Sequence, residues 1–554
     1  MYSNKQNIQQ LLSLMLEHGV KHVVLSPGSR NAPLIHSLNQ HPSFTCYTIV
    51  DERSASYFAL GLILKLHQPV AICCTSGTAL LNYSSATAEA FYQKLPLLVI
   101  SADRPVHWIG QADGQTINQK NVLVNFVRKS ITLPEIYNDD DKWLCNRLVN
   151  EGLLALTVGD IGPVHINIPL SEPLYEFTTE HLPVARKIEK VEGQKELPSS
   201  YLEAWGGFKK RMLVVGQHLP NEKFSAAIKA LALRGDTVII AEHTANLSSS
   251  SSVAYLEQIL TSLTGDEENC FAPDLLLTVG GHIVSKKLKL FLRKNRPVAH
   301  WHVGTEVVDT FQSLTNLIDV DATSLVEAIA SEELGDLTYN NVWNIRSKVV
   351  GTTAEEYLAR ASYSDLSVFN AIFKSMSSNI SLHLGNSTPV RYAQQFMLPD
   401  NVRVFSNRGT SGIDGVVSTF AGYSVNTTEL SVLLIGELSF LYDSNGLWNR
   451  YLSPNCRIVV INNAGGGIFR LIDGPSRSDA LEEHIEYSHN QSVENIAKAF
   501  GVRYLSASTQ DEVEMQVAKL FDCTLQQPTL LEIFTPSKVN AAIYKGYFEH
   551  LKTK

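Results

Sequence analysis

SVLLIGELS at 431–439 and RIVVINNAGGGIF at 457–469 decide how this chain reads. Each is an apolar run that ends in a polar turn: SVLLI leads into Gly436-Glu437, and RIVVI leads into Asn462-Asn463. In a parallel sheet, two such ends set a carboxylate and an amide side by side at the carboxyl edge, where ligands bind at a topological switch point. Oxygens from Glu437 and Asn463, a backbone oxygen of the glycine-rich turn and phosphate oxygens together suit an octahedral Mg²⁺. The pair predicts a metal-diphosphate site.

The same grammar recurs along the chain. SLHLGNSTPVR (381–391), RVFSNRGTSGIDG (403–415) and TLLEIFTP (529–536) complete a C-terminal series beginning near residue 365. An N-terminal series holds VKHVVLSPGSR (20–30), FTCYTIVDER (44–53), PVAICCTSGTA (69–79) and PLLVISADRP (96–105), and closes near GPVHINIPLSEPLYE (162–176). Helical stretches such as ASYFALGLILKLH (55–67) lie between these strands, so the connections are crossovers and the sheet is parallel. After the charged linker VARKIEKVEGQKEL (184–197), a middle series follows: RMLVVG, DTVIIAEH, DLLLTVGG and PVAHWHVG, to about residue 345. It has no GxGxxG fingerprint and no catalytic cluster, so a structural role is expected of it.

Composition agrees with several α/β domains. At 554 residues the chain is expected to hold roughly three or four. Its 44% hydrophobic and 18% charged residues are those of an ordinary globular protein. A net charge of −9 argues against a nucleic-acid surface. No apolar run approaches the roughly 20 residues of a membrane span, and MYSNKQNIQQ lacks the features of a signal peptide, so a cytoplasmic protein is expected. The 7 cysteines are scattered and lack a CxxC pair, which fits reduced, mostly buried thiols.

A Gly-acid triplet followed at a set interval by Asn-Asn is the fingerprint of thiamine-diphosphate enzymes, and Gly436 to Asn463 matches it in order and spacing. Within that superfamily the chain resembles the 2-succinyl-5-enolpyruvyl-6-hydroxy-3-cyclohexene-1-carboxylate synthase family of menaquinone biosynthesis. The likeness is carried by SPGSRNAP (26–33), DERSASYFALG (51–61), TSGTA (75–79), ADRP (102–105), GNSTPVR (385–391), SNRGTSGIDG (406–415) and GELSFLYD (436–443), which span nearly the whole chain. It implies an α/β fold of three doubly wound parallel-sheet domains: 1–180 pyrimidine-binding-type, 200–345 central, and 360–554 diphosphate-binding-type. A generic superfamily member has Gly after the acidic residue, where this chain has Leu438-Ser439. One departure concerns the metal. The family pattern has Asp at the position of Glu437, so the carboxylate here is one methylene longer, and a retained site with altered metal preference is expected.

The resemblance implies thiamine diphosphate with Mg²⁺ or Mn²⁺ held by Glu437, Asn463 and Gly465. Gly436, Leu438, Ser439, Asn463, Ser387 and Ile413 would contact the cofactor. Glu52, in VDER, maps onto the acid that acts at the aminopyrimidine ring, and burial against an apolar cofactor would favour its holding a proton. The alternative for Asp51-Glu52 is a helix cap, with acids at the positive dipole end. Arg30, Arg104, Arg391 and Arg408 each follow a strand end, and guanidinium forks recognise planar carboxylates. The resemblance implies that these four, with Ser29, Gln115 and Ser387, line a pocket for 2-oxoglutarate and isochorismate, Gln115 also taking a catalytic role.

Lys286 and Lys287 align with a family Lys-Arg pair; their alternative is the solvated face of SKKLKLFLRK (285–294). Ile468, Phe469 and Ile472 would form an apolar wall, or plain core. The implied reaction is decarboxylation of 2-oxoglutarate and 1,4-addition of the succinyl semialdehyde carbanion to isochorismate. The implied assembly is a homodimer or dimer of dimers with shared active sites. Alternatives are another thiamine-diphosphate 2-oxoacid carboligase or decarboxylase, a catalytically impaired homologue, and a dinucleotide-binding oxidoreductase, against which the missing GxGxxG speaks.

Overall fold

Every strand pairing within the three sheets is parallel, the outcome demanded by apolar runs that alternate with crossover helices. The computed structural model describes residues 1–554 except 192, 194, 472, 473, 523, 553 and 554. The chain divides into two compact units. One comprises Met1–Glu192, Asn407–Thr427 and Tyr442–Ser453, and the other Gly193–Ser406, Thr428–Leu441 and Pro454–Lys554.

In the first unit the strands are β1 (His22–Leu25), β2 (Thr45–Thr48), β3 (Val70–Cys74), β4 (Leu97–Asp103), β5 (Lys129–Thr132) and β6 (Val164–Pro169). They form a 6-stranded sheet of order β2-β1-β3-β4-β6-β5. β3 and β4 lie inside it, and all their residues are buried. Helices cover both faces of such a strand, which is why the sequence shows an unbroken apolar run and not an alternating one.

The excursions 407–427 and 442–453 fold onto this unit. Helix Val416–Tyr423 packs on helix Glu52–Leu66 at backbone distance: a Cβ added to Gly61 would stand 2.0 Å from the Thr419 carbonyl oxygen. Buried carboxylates anchor both excursions. Glu89 accepts the Gly409 and Thr410 backbone N–H groups at 2.7 and 2.6 Å, and Asp443 accepts from Ser418 N and Oγ at 2.7 and 2.8 Å. Burial pushes the Asp443 carboxyl up to about 7.

The second unit holds two sheets. β7 (Arg211–Val215), β8 (Val238–Ala241), β9 (Leu275–Val279), β10 (Ala299–Val303) and β11 (Asn316–Ile318) are ordered β11-β10-β9-β7-β8. β12 (Ser381–Leu384), β13 (Arg403–Phe405), β14 (Ser431–Gly436), β15 (Cys456–Asn462), β16 (Arg503–Ala507) and β17 (Thr529–Phe534) are ordered β13-β12-β14-β15-β17-β16. Strands β5, β11 and β16 were absent from the apolar runs of the sequence, and each is an edge strand. Six described cysteines carry free thiols, four of them buried, while Cys523 lies outside the described residues. Among the described residues no helix is long and apolar enough to cross a membrane.

Candidate active site

The register of β14 on β15 pairs Gly436 with Ile461, so the first side chains past the two strands are neighbours. Glu437 and Asn463 are both buried there, at 2% and 4% exposure. The turn that follows Asn463 is shaped by Ala464 and Gly465, which both have positive φ, +62° and +153°. A Cβ on Gly465 would press on Glu486 at 3.0 Å, so glycine is required by space as well as conformation. The turn folds back so that the Gly465 N–H donates to Glu437 Oε1 at 2.7 Å.

The surroundings of Asn463 suit a ligand to a cation. Its Nδ2 donates to Asp365 Oδ2 at 3.0 Å, and its Oδ1 is buried with no hydrogen-bond partner. A carboxylate can only accept, so Asp365 dictates which way the amide points and leaves Oδ1 for a ligand. An unsatisfied buried acceptor costs about 1–3 kcal/mol, and a hard cation would remove that cost. Asp365 is itself held by Thr535 Oγ1 at 2.5 Å and, at its backbone N–H, by Asn540 Oδ1 at 2.9 Å. Burial, with Glu437 nearby, raises its carboxyl to about 6. The donor set of one carboxylate, one amide oxygen and the Gly465 carbonyl therefore fits a divalent cation that keeps further positions for phosphate oxygens or water. Among the described residues no group of three or more His, Cys, Asp or Glu offers a rival metal site.

Other residues of this unit lie around the same sheet or beside it. Ser387, just past β12, has φ +73° and ψ −122°, a conformation that costs a non-glycine residue about 1–3 kcal/mol and that clusters at functional sites. Its carbonyl accepts from Arg391 Nη1 at 2.5 Å. Arg391 is partly buried, and desolvation lowers its affinity for a proton. Leu438 and Ser439 open the helix Glu437–Tyr442, and Ile468 and Phe469 open the short helix Ile468–Leu471, half-buried. Ile472 lies outside the described residues.

Lys286 is exposed at the start of helix Lys286–Lys294. Lys287 has local partners: its ammonium lies 3.3 Å from the centre of the Phe548 ring and 3.6 Å from Glu257, and burial lowers it to about 8.

In the first unit, β1, β2, β3 and β4 run parallel, so the turns that follow them share one edge. They carry Ser29-Arg30, Asp51-Glu52, Thr75-Ser76-Gly77 and Arg104. Asp51 is the N-cap of helix Glu52–Leu66, accepting from Arg53 N and Ser54 N at 2.9 and 3.2 Å. The cap role expected as the alternative thus belongs to Asp51. Glu52 begins the helix, half-buried, and its charge is felt by the buried Cys74 and Tyr83.

Arg30 is buried, donating to the Leu170 carbonyl at 3.0 Å and pairing with Glu172 at 3.1 Å. Desolvation first, and the neighbouring Arg104 guanidinium second, make its charge harder to hold. Arg104 pairs with Asp113 at 3.3 Å and donates to the Gly114 carbonyl at 3.1 Å, one residue before Gln115. Gln115 has φ +54° and is exposed, as are Ser29 and Ile413, whereas Arg408 is buried. Two guanidiniums thus stand on one strand edge, each paired with a carboxylate of the same unit.

Sequence reasoning missed Asp365 and His489, which touch the proposed metal ligands. Asp365 follows the Ser364 cap of helix Asp365–Ser375, and His489 sits in an irregular stretch without a motif.

A family model for the thiamine pyrophosphate enzyme, N-terminal TPP binding domain, matches residues 6–122. With parallel α/β sheets and a carboxylate–amide pair at adjacent strand ends, the class is that of thiamine-diphosphate enzymes. The 2-succinyl-5-enolpyruvyl-6-hydroxy-3-cyclohexene-1-carboxylate synthase of Bacteroides thetaiotaomicron is 42% identical over 563 residues, with all of both chains covered. The proteins of that name from Phocaeicola vulgatus and Flavobacterium psychrophilum are 40% and 38% identical, covering all of both chains and 98% of both chains respectively. The chain belongs to this synthase family.

Proposed function

We propose that the protein decarboxylates 2-oxoglutarate and adds the resulting succinyl semialdehyde unit, 1,4, to isochorismate, forming 2-succinyl-5-enolpyruvyl-6-hydroxy-3-cyclohexene-1-carboxylate for menaquinone biosynthesis. The observation that carries this reading is the strand-end pair Glu437 and Asn463, with the Asn463 amide buried and oriented by Asp365. Thiamine diphosphate, when bound, supplies the carbon nucleophile and the electron sink. Glu437, Asn463 and the Gly465 carbonyl would hold Mg²⁺ or Mn²⁺, which supplies positive charge for the diphosphate. Gly436, Leu438, Ser439, Ser387 and Ile413 position the cofactor. Glu52, at the start of its helix, would be the acid that faces the aminopyrimidine ring and supports activation of the cofactor.

Arg30, Arg104, Arg391 and Arg408, with Ser29, Gln115, Ser387, Lys286 and Lys287, bind the substrate carboxylates. Gln115 also takes a catalytic role. Ile468, Phe469 and Ile472 exclude water from the reacting carbons.

The three domains of this reading are 1–180, 200–345 and 360–554. The resemblance to the synthase family supports active sites shared between copies in a homodimer or dimer of dimers. The enzyme works in the cytoplasm. Turnover of 2-oxoglutarate with isochorismate, thiamine diphosphate and Mg²⁺ or Mn²⁺ tests the reaction; turnover of pyruvate instead would overturn it. Sedimentation under assay conditions tests the assembly, and a fully active monomer would refute it.

A further inference from the structure

Glu437 carries two methylenes between backbone and carboxylate, so an extra torsion must be fixed before an oxygen can meet a cation. The structure shows how. Glu437 Oε1 accepts from Gly465 N at 2.7 Å and lies 3.3 Å from His489 Nε2. Both side chains are buried, at 2% and 7% exposure.

The other ring nitrogen of His489 settles the direction of that bond. Nδ1 accepts the Gln491 backbone N–H at 3.0 Å. A ring nitrogen that accepts carries no proton, so the neutral imidazole bears its hydrogen on Nε2 and donates it to Glu437. The His489 backbone N–H in turn donates to the Ala464 carbonyl at 3.1 Å, and the Gly466 N–H donates to the Glu486 carbonyl at 2.6 Å. The segment bearing His489 is thus clamped to the same turn that bears Asn463 and Gly465.

Two donors on Oε1 fix the carboxylate and leave Oε2 as the oxygen for a cation. We infer that His489 is a positioning residue for the metal site: its Nε2–H, with the Gly465 N–H, locks the longer glutamate arm into the ligating orientation. The inference rests on the reading of Glu437 as a metal ligand and adds to it. Outer residues that orient ligands in this way typically carry about 10–100-fold in metal affinity.

Mn²⁺ binding to the full-length protein with saturating thiamine diphosphate, read as free Mn²⁺ by electron paramagnetic resonance, tests it without turnover. His489→Ala is expected to weaken Mn²⁺ binding about 10–100-fold, and His489→Gln, which keeps an N–H donor, to restore part of that loss. In a Glu437→Asp background the shorter arm no longer reaches His489, so His489→Ala should change the affinity little. His489→Phe, a donor-free ring of similar bulk, serves if the alanine variant fails to fold. Unchanged Mn²⁺ affinity in the donor-free variants, or equal weakening in both backgrounds, overturns the inference. Glu437→Ala separates the two levels. If it abolishes Mn²⁺ binding while the His489 variants bind normally, only the role of His489 fails; if Mn²⁺ still binds to it, the metal reading fails as well.

Discussion

The first and last sheets have the same strand order. Counted each from its own first strand, β2-β1-β3-β4-β6-β5 and β13-β12-β14-β15-β17-β16 are one topology, yet their carboxyl edges carry different chemistry. After the first strand stands Arg30 in one and Ser387 in the other; after the second, Glu52 and Arg408; after the fourth, Arg104 and Asn463. At the end of the third, β3 leads to Thr75 where β14 leads to Glu437. The N-terminal edge thus offers an acid and two guanidiniums, and the C-terminal edge offers the buried carboxylate and amide that we propose as metal ligands. The fold supplies the place, and the turn residues supply the function. The middle sheet, β11-β10-β9-β7-β8, follows the same order without the last strand.

The sharpest way to break this comparison is to remove one function from each edge and ask whether the other survives. Glu52→Gln should lower kcat about 10²–10⁴-fold, the usual contribution of a positioned acid or base, while Mn²⁺-dependent thiamine diphosphate binding stays near wild type. Loss of cofactor binding with loss of turnover would move Glu52 to the binding side. Glu437→Ala should do the reverse, weakening Mn²⁺ and thiamine diphosphate binding by about 100-fold or more, beyond the range of an outer residue. Calorimetric titration with and without Mn²⁺ reads this directly. A variant that binds the cofactor normally without metal would show that the two edges are not divided in this way.

Much of this division was legible in the sequence because the relevant side chains directly follow buried runs. Glu437 and Asn463 stand just past β14 and β15, whose residues are almost wholly buried, and Arg104 just past β4. What escaped has two physical causes. Strands β5, β11 and β16 are edge strands with partly exposed residues; β16 has two exposed, two half-buried and one buried residue. A search for unbroken apolar runs finds strands covered on both faces and passes over these. The second cause is distance along the chain. Asp365 meets Asn463 across 98 residues and His489 meets Glu437 across 52, so nothing local marks either one. Ser387 was named from its motif, but its left-handed backbone became visible only in three dimensions.

A smaller effect sharpens the anionic side of the comparison. Arg30 sits 5% exposed, its Nη1 donating to the Leu170 carbonyl and pairing with Glu172. Arg30→Lys keeps the charge and loses the planar fork, so the KM for 2-oxoglutarate or isochorismate should rise about tenfold, close to 1.4 kcal/mol of binding. Metal affinity should not move. An unchanged KM in steady-state kinetics would reassign Arg30 to holding the Leu170–Glu172 segment.

The smallest effect separates two adjacent acids. Asp51 and Glu52 occupy the same turn, but Asp51 accepts two backbone N–H groups of the following helix, and its second oxygen accepts from Asn445 Nδ2 at 2.7 Å. Its carboxylate therefore works as a cap at the positive end of the helix dipole. Asp51→Ala should cost about 1 kcal/mol, read as a lower unfolding temperature by calorimetry, and Asp51→Ser should recover most of it because serine also caps. The Mn²⁺ affinity at the other edge should stay the same. Glu52→Gln should show the opposite pattern, leaving the unfolding temperature nearly unchanged while turnover collapses. If Asp51→Ala instead abolished turnover without lowering stability, the acid of this edge would have been placed one residue too far along the chain.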